Sequence, residues 1–385
     1  MQFQDRTVVH MDMDTFFVSV ERLINSGLRG KPVIIGSLSD RGVVASCSYE
    51  ARMFGVHSAM PMKMALNLCR DAIVIRGDMD LYSKYSALVT EVIAGRAPLY
   101  EKASIDEHYL DITGMDKFFG ACKWTHELRQ TIINETGLPV SCGLSINKTV
   151  SKIAAGEAKP NGEKQVEKDS VIPFLYPLPI RKMPMIGLKT CNLLTSMGVS
   201  TIGVLRSIPV EMIESVLGKN GIEIWKRANG IDLSPVVPYS EEKSISTEKT
   251  FGTDTIDVNM LEQLIITMTE KLCFRLRKKE KLASVVTVKI RYANYDTHTL
   301  QSRIAYTSLD HLLIGKAAEL FKRLYQRRML VRLVGVKLGG LIQGAQQLSL
   351  FDDNGSRTRL YLSMDKIRMR YGSAAIRRAS GLVCK

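Results

Sequence analysis

Two pairs of acidic residues stand out because each lies in or directly after an apolar stretch. Asp106 and Glu107 are adjacent in A-S-I-D-E-H-Y-L-D, and Asp12 and Asp14 follow the run T-V-V-H-M. Carboxylates that border a core need a compensating cation. A salt-bridged edge strand would provide one, and so would a site where two strand ends hold divalent ions through oxygen ligands. Two such ions, roughly 3.5–4 Å apart, would suit in-line phosphoryl transfer.

The segments around these acids alternate between strand and helix patterns. We predict strands at Thr7–Met11 and Ile105–Asp111. Tyr49 and Arg52 are three residues apart on a predicted helix and therefore share a face. The pattern indicates an α/β domain with an antiparallel or mixed sheet. Its other predicted strands and helices are Val33–Ile35, Gly42–Ala45, Val140–Ile146, Phe16–Leu23, Tyr82–Ile93, Phe118–Glu135 and Asn147–Ala158.

Charge and size limit what the protein binds. The chain has 385 residues, a net charge of +14 and a pI near 9.4, which favours an anionic partner. Nucleic acid is the first candidate and an acidic membrane surface the second. The membrane alternative is weaker, because no apolar run approaches the roughly 20 residues that span a bilayer. Seven cysteines without a C-x-x-C pair predict reduced thiols and a cytoplasmic location.

A proline-rich boundary at Pro173–Pro179 separates this domain from a helical region. Within it, Ile180–Val199 predicts a helix–hairpin–helix that turns at Pro184 and Gly187 and could hold a DNA phosphate. Met185 occupies the place where the motif usually has its first glycine. A small helical bundle that uses the same turn is the alternative.

The last third of the chain predicts a linker, a basic module and a tail. Val236–Ser246 is polar and contains a proline, and residues 241–345 carry 18 Lys/Arg against 11 Asp/Glu. The module predicts the order strand, helix, strand, strand, helix, strand, and its basic runs Arg275–Lys281 and Lys322–Arg328 suggest a surface that grips a DNA backbone. Gln347–Phe351 could dock as an extended peptide, before a basic helix near Thr358–Arg370.

Four motifs together resemble the Y-family of DNA polymerases. They are D-M-D-T-F-F, Y-E-A-R-x-F-G, S-I-D-E-x-Y-L-D and A-K-P-N-G, in the order and approximate spacing of that family. The resemblance implies a multidomain α/β and α+β protein, a right-hand polymerase with a four-stranded little-finger domain. The implied ranges are palm 1–18 and 77–166, fingers 19–76, helix–hairpin–helix thumb 167–233, linker 234–242, little finger 243–341 and tail 342–385.

The resemblance also implies the catalytic residues. Asp12 and Asp106 would bind two Mg²⁺ ions, Glu107 would bind the ion that activates the primer 3′-hydroxyl, and the Met13 carbonyl would complete the other ion's shell. Asp14 would support the site. The implied activity is error-prone, template-directed DNA synthesis past damaged bases, without a proofreading exonuclease.

Residues for the nucleotide and the partners follow from the same resemblance. Phe17 would be a steric gate that excludes the ribose 2′-hydroxyl. The residues implied in nucleotide binding are Phe16, Phe17, Tyr49, Arg52 and Lys159; those that roof the base pair are Val43 and Ala45; those that bind a sliding clamp are Gln347, Leu348, Leu350 and Phe351. The expected partners are primer–template DNA, deoxynucleoside triphosphates and the clamp, and the expected state is a monomer. The sequence departs from the family pattern at Thr15, His108 and Met185.

Two other classes of protein remain open. A non-catalytic DNA-repair adaptor would keep the hairpin, the basic module and the clamp peptide. Such an adaptor would not need Asp12, Asp106, Glu107, Arg52 and Lys159. A different two-metal enzyme on a similar palm, such as a nucleotidyl cyclase, would not require the hairpin, the basic module or the clamp peptide.

Overall fold

The computed structural model describes residues 6–115, 120–239, 241–344, 354–372, 375–376 and 378–381. The chain divides into two compact units, 1–240 and 241–385, each with its own hydrophobic core. The expected clamp-binding residues Gln347, Leu348, Leu350 and Phe351 lie outside the described residues.

A five-stranded sheet carries the N-terminal unit, and its strands run in the order β5-β6-β1-β7-β8. They are β1 (Val8–Met13), β5 (Tyr100–Lys102), β6 (Glu107–Asp111), β7 (Val140–Ser145) and β8 (Glu163–Gln165). The pairs are antiparallel except β7 with β8, so of the two predicted alternatives, an antiparallel or a mixed sheet, the sheet is mixed. The predicted start of the β6 strand at Ile105 was wrong, because the Ser104 hydroxyl accepts a hydrogen bond from Asp106 N and makes a bend there.

Helices pack on this sheet where the apolar pattern predicted them. They are α1 (Phe16–Ile24), α4 (Met79–Ala94), α5 (Ala121–Thr136) and α6 (Lys148–Ala158). Asn147 caps α6 by accepting a hydrogen bond from Val150 N at 3.0 Å. Gly143 on β7 lets α6 approach closely, since a Cβ there would stand 2.1 Å from Ser151 O. The expected helix start at Phe118 lies outside the described residues.

A small sheet and a helical region complete the N-terminal unit. The small sheet has the order β3-β2-β4 and packs with two short helices. Met185 has a φ of 72° in the predicted hairpin, the left-handed backbone that glycine adopts more easily. The elements are β2 (Val33–Gly36), β3 (Val44–Cys47), β4 (Ile73–Ile75), α2 (Tyr49–Arg52), α3 (Met62–Leu68), α7 (Val171–Leu175), α8 (Leu188–Ser196), α9 (Ile202–Ser207), α10 (Val210–Leu217) and α11 (Lys219–Ala228). The β3 strand begins two residues later than the predicted Gly42.

The C-terminal unit confirms the predicted strand and helix order. Its sheet runs β11-β10-β12-β9, with β13 paired to β10. The elements are β9 (Ser244–Thr255), α12 (Val258–Lys278), β10 (Lys281–Tyr292), β11 (Thr297–Thr307), α13 (Asp310–Leu324), β12 (Val331–Gly339), β13 (Ile342–Gln343) and α14 (Asn354–Tyr371). Apolar residues of α12 and α13, such as Leu272 and Phe321, form the core with the sheet.

A buried charge network joins α12, α13 and α14, and it corrects one expectation. Arg277, which we expected among the DNA-gripping residues, has a side chain only 10% exposed and pairs with Asp310 and Asp365, each at 2.5 Å. Arg368 pairs with Glu270 at 2.5 Å. The expectation for Arg277 was wrong because the tail helix covers it, a contact between segments about a quarter of the chain apart that charge counting along the sequence does not show.

Candidate active site

Strand pairing brings the two acidic segments together. Asp12 on β1 is the direct partner of Glu107 on β6, and side chains of directly paired residues project on the same face of a sheet. Asp106 precedes β6, and its carbonyl accepts a hydrogen bond from Met13 N at 3.0 Å. Asp106 and Glu107 therefore reach one site because the bend before β6 suspends the usual alternation of faces.

Lys159 holds Asp12. Its ammonium lies 2.6 Å from Asp12 Oδ1, at the point where α6 ends and just before the chain reverses at Pro160–Gly162. Burial nevertheless raises the pKa of Asp12 to about 6, and the neighbouring Glu107 and Asp106 add to the rise against the opposing effect of Lys159. A further cation beside Asp12 would therefore stabilise its ionised form.

Glu107 has two basic neighbours. Lys152 Nζ donates to Glu107 Oε2 at 2.5 Å, whereas His10 Nε2 stands 3.7 Å from the same oxygen, too far for a hydrogen bond. Burial alone would raise the pKa of Glu107, but His10 and Lys152 outweigh it and lower this pKa to about 2. Glu107 is thus ionised at neutral pH. Sequence reasoning missed Lys152, because nothing in its spacing singled it out from other helix lysines.

Asp106 is held by a hydroxyl, since Ser104 Oγ donates to its Oδ1 at 2.5 Å. Each of the three carboxylates is therefore engaged by a different neighbour. In the parts of the chain that the structure describes, no three acidic, histidine or cysteine side chains form a ready-made metal cage. The donor set, three carboxylates at one cavity, nevertheless fits hard divalent cations such as Mg²⁺.

Asp14 has a supporting position. Its side chain is 1% exposed, and it accepts hydrogen bonds from Ser141 Oγ at 2.8 Å and Asn161 N at 2.5 Å. Tyr49 Oη also donates to Asp14, at 3.1 Å. Through these bonds Asp14 connects the chain reversal next to Lys159 with β7 and α2. Both carboxylate oxygens of Asp14 already have hydrogen-bond partners.

A cavity of about 200 Å³ opens beside the carboxylates. Phe17 forms one wall, and its ring stacks on Tyr82 with centroids 4.4 Å apart. Phe16 also borders the cavity but is 3% exposed and belongs to the core. The residues that line the cavity are Asp12, Met13, Thr15, Phe16, Phe17, Ala45, Ser46, Arg52, Ser58, Asp106, Glu107 and Lys159.

Most predicted nucleotide residues line this cavity. Arg52 and Lys159 do so, and Arg52 lies over the Tyr49 ring, 5.1 Å from its centroid. Tyr49 itself is outside the lining, with its hydroxyl on Asp14. Of the two predicted roof residues, Ala45 lines the cavity, whereas Val43 does not and is 49% exposed. Ser46 and Ser58 are lining residues that the sequence motifs did not indicate.

Family models match both parts of the chain. The impB/mucB/samB family matches residues 11–156, and the C-terminal domain of that family matches residues 242–350. With the site geometry, these matches define the class: the chain belongs to the Y-family of DNA polymerases, whose activity is DNA-directed DNA synthesis.

Individual relatives agree with this class. A protein named DNA polymerase IV from Dehalococcoides mccartyi strain CBDB1 is 39% identical to this chain, and the alignment covers 96% of each. A protein of the same name from Desulfatibacillum aliphaticivorans is 35% identical, and the alignment covers 98% of this chain and 97% of that protein. A solved structure of a Y-family DNA polymerase chimera superposes on this chain with a TM-score of 0.78 and 27% sequence identity. The alignment covers 88% of this chain and 100% of the chimera. The predicted multidomain α/β and α+β class is confirmed. Among the described residues, no helix is long and apolar enough to cross a membrane.

Proposed function

We propose that the protein carries out error-prone, template-directed DNA synthesis past damaged bases, transferring a nucleotide from a deoxynucleoside triphosphate to a primer 3′-hydroxyl. The observation that carries the proposal is the meeting of Asp12, Asp106 and Glu107 with Arg52 and Lys159 at one cavity. A cavity lined by both carboxylates and basic groups suits a triphosphate held with Mg²⁺. Relatives named DNA polymerase IV support the substrate assignment.

In this proposal, Asp12 and Asp106 hold two Mg²⁺ ions, with the Met13 carbonyl on the nucleotide side and Glu107 on the primer side. Bound Mg²⁺ supplies charge neutralisation on the reacting phosphate and lowers the pKa of the primer hydroxyl. The side chains position both reactants, and no side-chain base is needed. Asp14 keeps the Lys159 reversal in place through Asn161 N.

Basic and aromatic side chains then select the nucleotide. Arg52 and Lys159 bind the triphosphate by charge, and Tyr49 assists by its hydroxyl or by holding Arg52 over its ring. The Phe17 ring occupies the space that a ribose 2′-hydroxyl would need. The small Ala45, with Val43, roofs the base pair loosely, which permits a damaged template base. No proofreading step belongs to this scheme.

The same proposal assigns domains and partners. We assign palm 1–18 and 77–166, fingers 19–76, thumb 167–233, linker 234–242 and little finger 243–341, with a clamp peptide at 347–351. The protein would act as a cytoplasmic monomer on primer–template DNA. The basic exposed residues of the little finger would supply DNA affinity, and the clamp would add processivity by tethering.

Primer extension tests the proposal. Wild-type protein with Mg²⁺ and single deoxynucleotides should extend a primer on an undamaged template and on one with a defined lesion. Asp106→Ala should reduce extension by roughly 1000-fold, because a shared metal ligand is lost. Lys148→Met, on α6 but paired with Glu101 at 2.7 Å, is the matched control and should retain extension. No extension by folded wild-type protein would favour an adaptor, and unchanged extension in Asp106→Ala would refute the site.

A further inference from the structure

Lys152 is a cation that the motifs did not mark, and it touches the site. It lies on α6, and its side chain is 34% exposed. Its ammonium lies 2.5 Å from Glu107 Oε2, and it forms no other ion pair within the described residues. Gly143 on β7 permits the close approach of α6, the helix that carries Lys152. Lys152 does not line the cavity that we assign to the nucleotide.

We propose that Lys152 is a positioning residue that acts as a built-in competitor for the primer-side metal: its ammonium holds the Glu107 carboxylate and must release it before a divalent ion can bind. This inference rests on the proposed function, since it takes Glu107 as a metal ligand. It gives Lys152 a role separate from that of Lys159, which we assign to the triphosphate.

The competition follows from charge and from shared acceptor atoms. The ammonium already uses Oε2 of Glu107, and a positive charge left within a few ångströms of a divalent cation repels it. The lysine stem is flexible and partly exposed, so Lys152 can move into solvent when an ion arrives. Metal affinity without substrates is therefore low. It rises when primer and triphosphate oxygens add ligands, so the site is completed only with both substrates present.

Metal titration of the full-length protein, without DNA or nucleotide, tests this role. Mn²⁺ is the probe, and binding is followed by electron paramagnetic resonance of the free ion. Lys152→Met should tighten Mn²⁺ binding about tenfold by removing the competing charge. Lys152→Arg, which keeps the charge, should bind Mn²⁺ as the wild type does, and Lys148→Met is the matched control on the same helix. Lys152→Gln provides a second neutral variant if Lys152→Met fails to fold.

The outcomes separate this inference from the proposed function. Unchanged or weaker Mn²⁺ binding in both neutral variants overturns the competitor role, and equal tightening in Lys148→Met overturns it as well. Glu107→Gln tests the site itself and should weaken Mn²⁺ binding strongly. If it does so while the Lys152 variants leave binding unchanged, the inference fails and the proposed site stands. If Glu107→Gln leaves Mn²⁺ binding unchanged, both fail.

Discussion

The two units each contain a cluster of charged side chains, and the clusters differ in balance. At the N-terminal site, four carboxylates meet two ammonium groups beside an open cavity. In the C-terminal unit, three carboxylates meet three guanidinium groups where α12, α13 and α14 come together. The first cluster consists of Asp12, Asp14, Asp106, Glu107, Lys152 and Lys159, and the second of Glu270, Asp310, Asp365, Arg277, Arg368 and Arg378.

The choice of cation matches the difference. Arginine presents several donors in a rigid fork, so Arg277 can bind Asp310 and Asp365 together and close the cluster. Lysine is a point charge on a flexible stem, so Lys152 can let go of Glu107. A balanced, buried arginine cluster joins helices, whereas an acid-rich lysine cluster at a cavity suits an exchangeable cation. An excess of negative charge and an open cavity, rather than the number of charged residues, distinguish the cluster that we propose as the active site.

Breaking the arginine cluster of the C-terminal unit, called the closed cluster below, should have the largest effect on stability. Arg277→Met leaves Asp310 and Asp365 buried without their main partner and should destabilise the C-terminal unit by about 3–5 kcal/mol. Hydrogen exchange of α12 and α14 would measure the loss. Both tryptophans, Trp124 and Trp225, lie in the N-terminal unit, so their fluorescence during urea unfolding is the control and should change little. Unaltered exchange in α14 would contradict the role of the network.

Removing an aromatic ring beside each cluster should change sugar selectivity at the first cluster and stability at the second. Phe17→Ala should raise ribonucleotide incorporation relative to deoxyribonucleotide by roughly 100-fold, because the 2′-hydroxyl gains space. The matched change is Tyr361→Ala, whose ring lies 5.3 Å from Arg277 in the closed cluster. That variant should lose stability and keep sugar selectivity. The readout is single-nucleotide extension with each sugar, and unchanged selectivity in Phe17→Ala would refute the gate.

Magnesium should stabilise only the N-terminal unit, whose charged cluster lies beside the open cavity. Saturating Mg²⁺ should raise the free energy of unfolding of the N-terminal unit by about 1–2 kcal/mol, because the folded site binds the ion and the unfolded chain does not. Urea unfolding followed by tryptophan fluorescence, with Mg²⁺ or with EDTA, measures this difference. Asp12→Asn should remove most of it. Equal stabilisation of the C-terminal unit by hydrogen exchange would show that the effect is general rather than due to the site.

The smallest expected effect concerns DNA affinity. Arg275 and Lys278 are exposed on α12, whereas Arg277 is committed to the closed cluster. If the little finger grips the DNA backbone, neutralising Arg275 and Lys278 together should lower the slope of log affinity against log salt by about 2. Arg277→Met should leave that slope unchanged at a temperature where the variant is folded. A slope that drops only in Arg277→Met would reverse the assignment.

The sequence alone determined the elements and the family. Helices α1 and α6 matched their predicted ranges closely, because apolar spacing is a local signal and, at α6, Asn147 also caps the first turn. The family was readable because four motifs occur in order, although each match by itself is weak. Strand ends were less accurate, as at Gly42 and Ile105. A backbone hydrogen bond from Gly42 N to Ser39 O closes a turn before β3, and the bond from Asp106 N to the Ser104 hydroxyl makes the bend before β6.

Only the tertiary structure decided which charges meet. Asp12 faces Glu107 because β1 and β6 pair in one register, and register depends on the whole sheet rather than on either segment. Lys152 reaches Glu107 because α6 packs closely over Gly143, while a helix from the chain's tail covers Arg277. Local patterns specify how a segment folds, but charge compensation depends on contacts between segments far apart in the chain, and those contacts exist only once the units have packed.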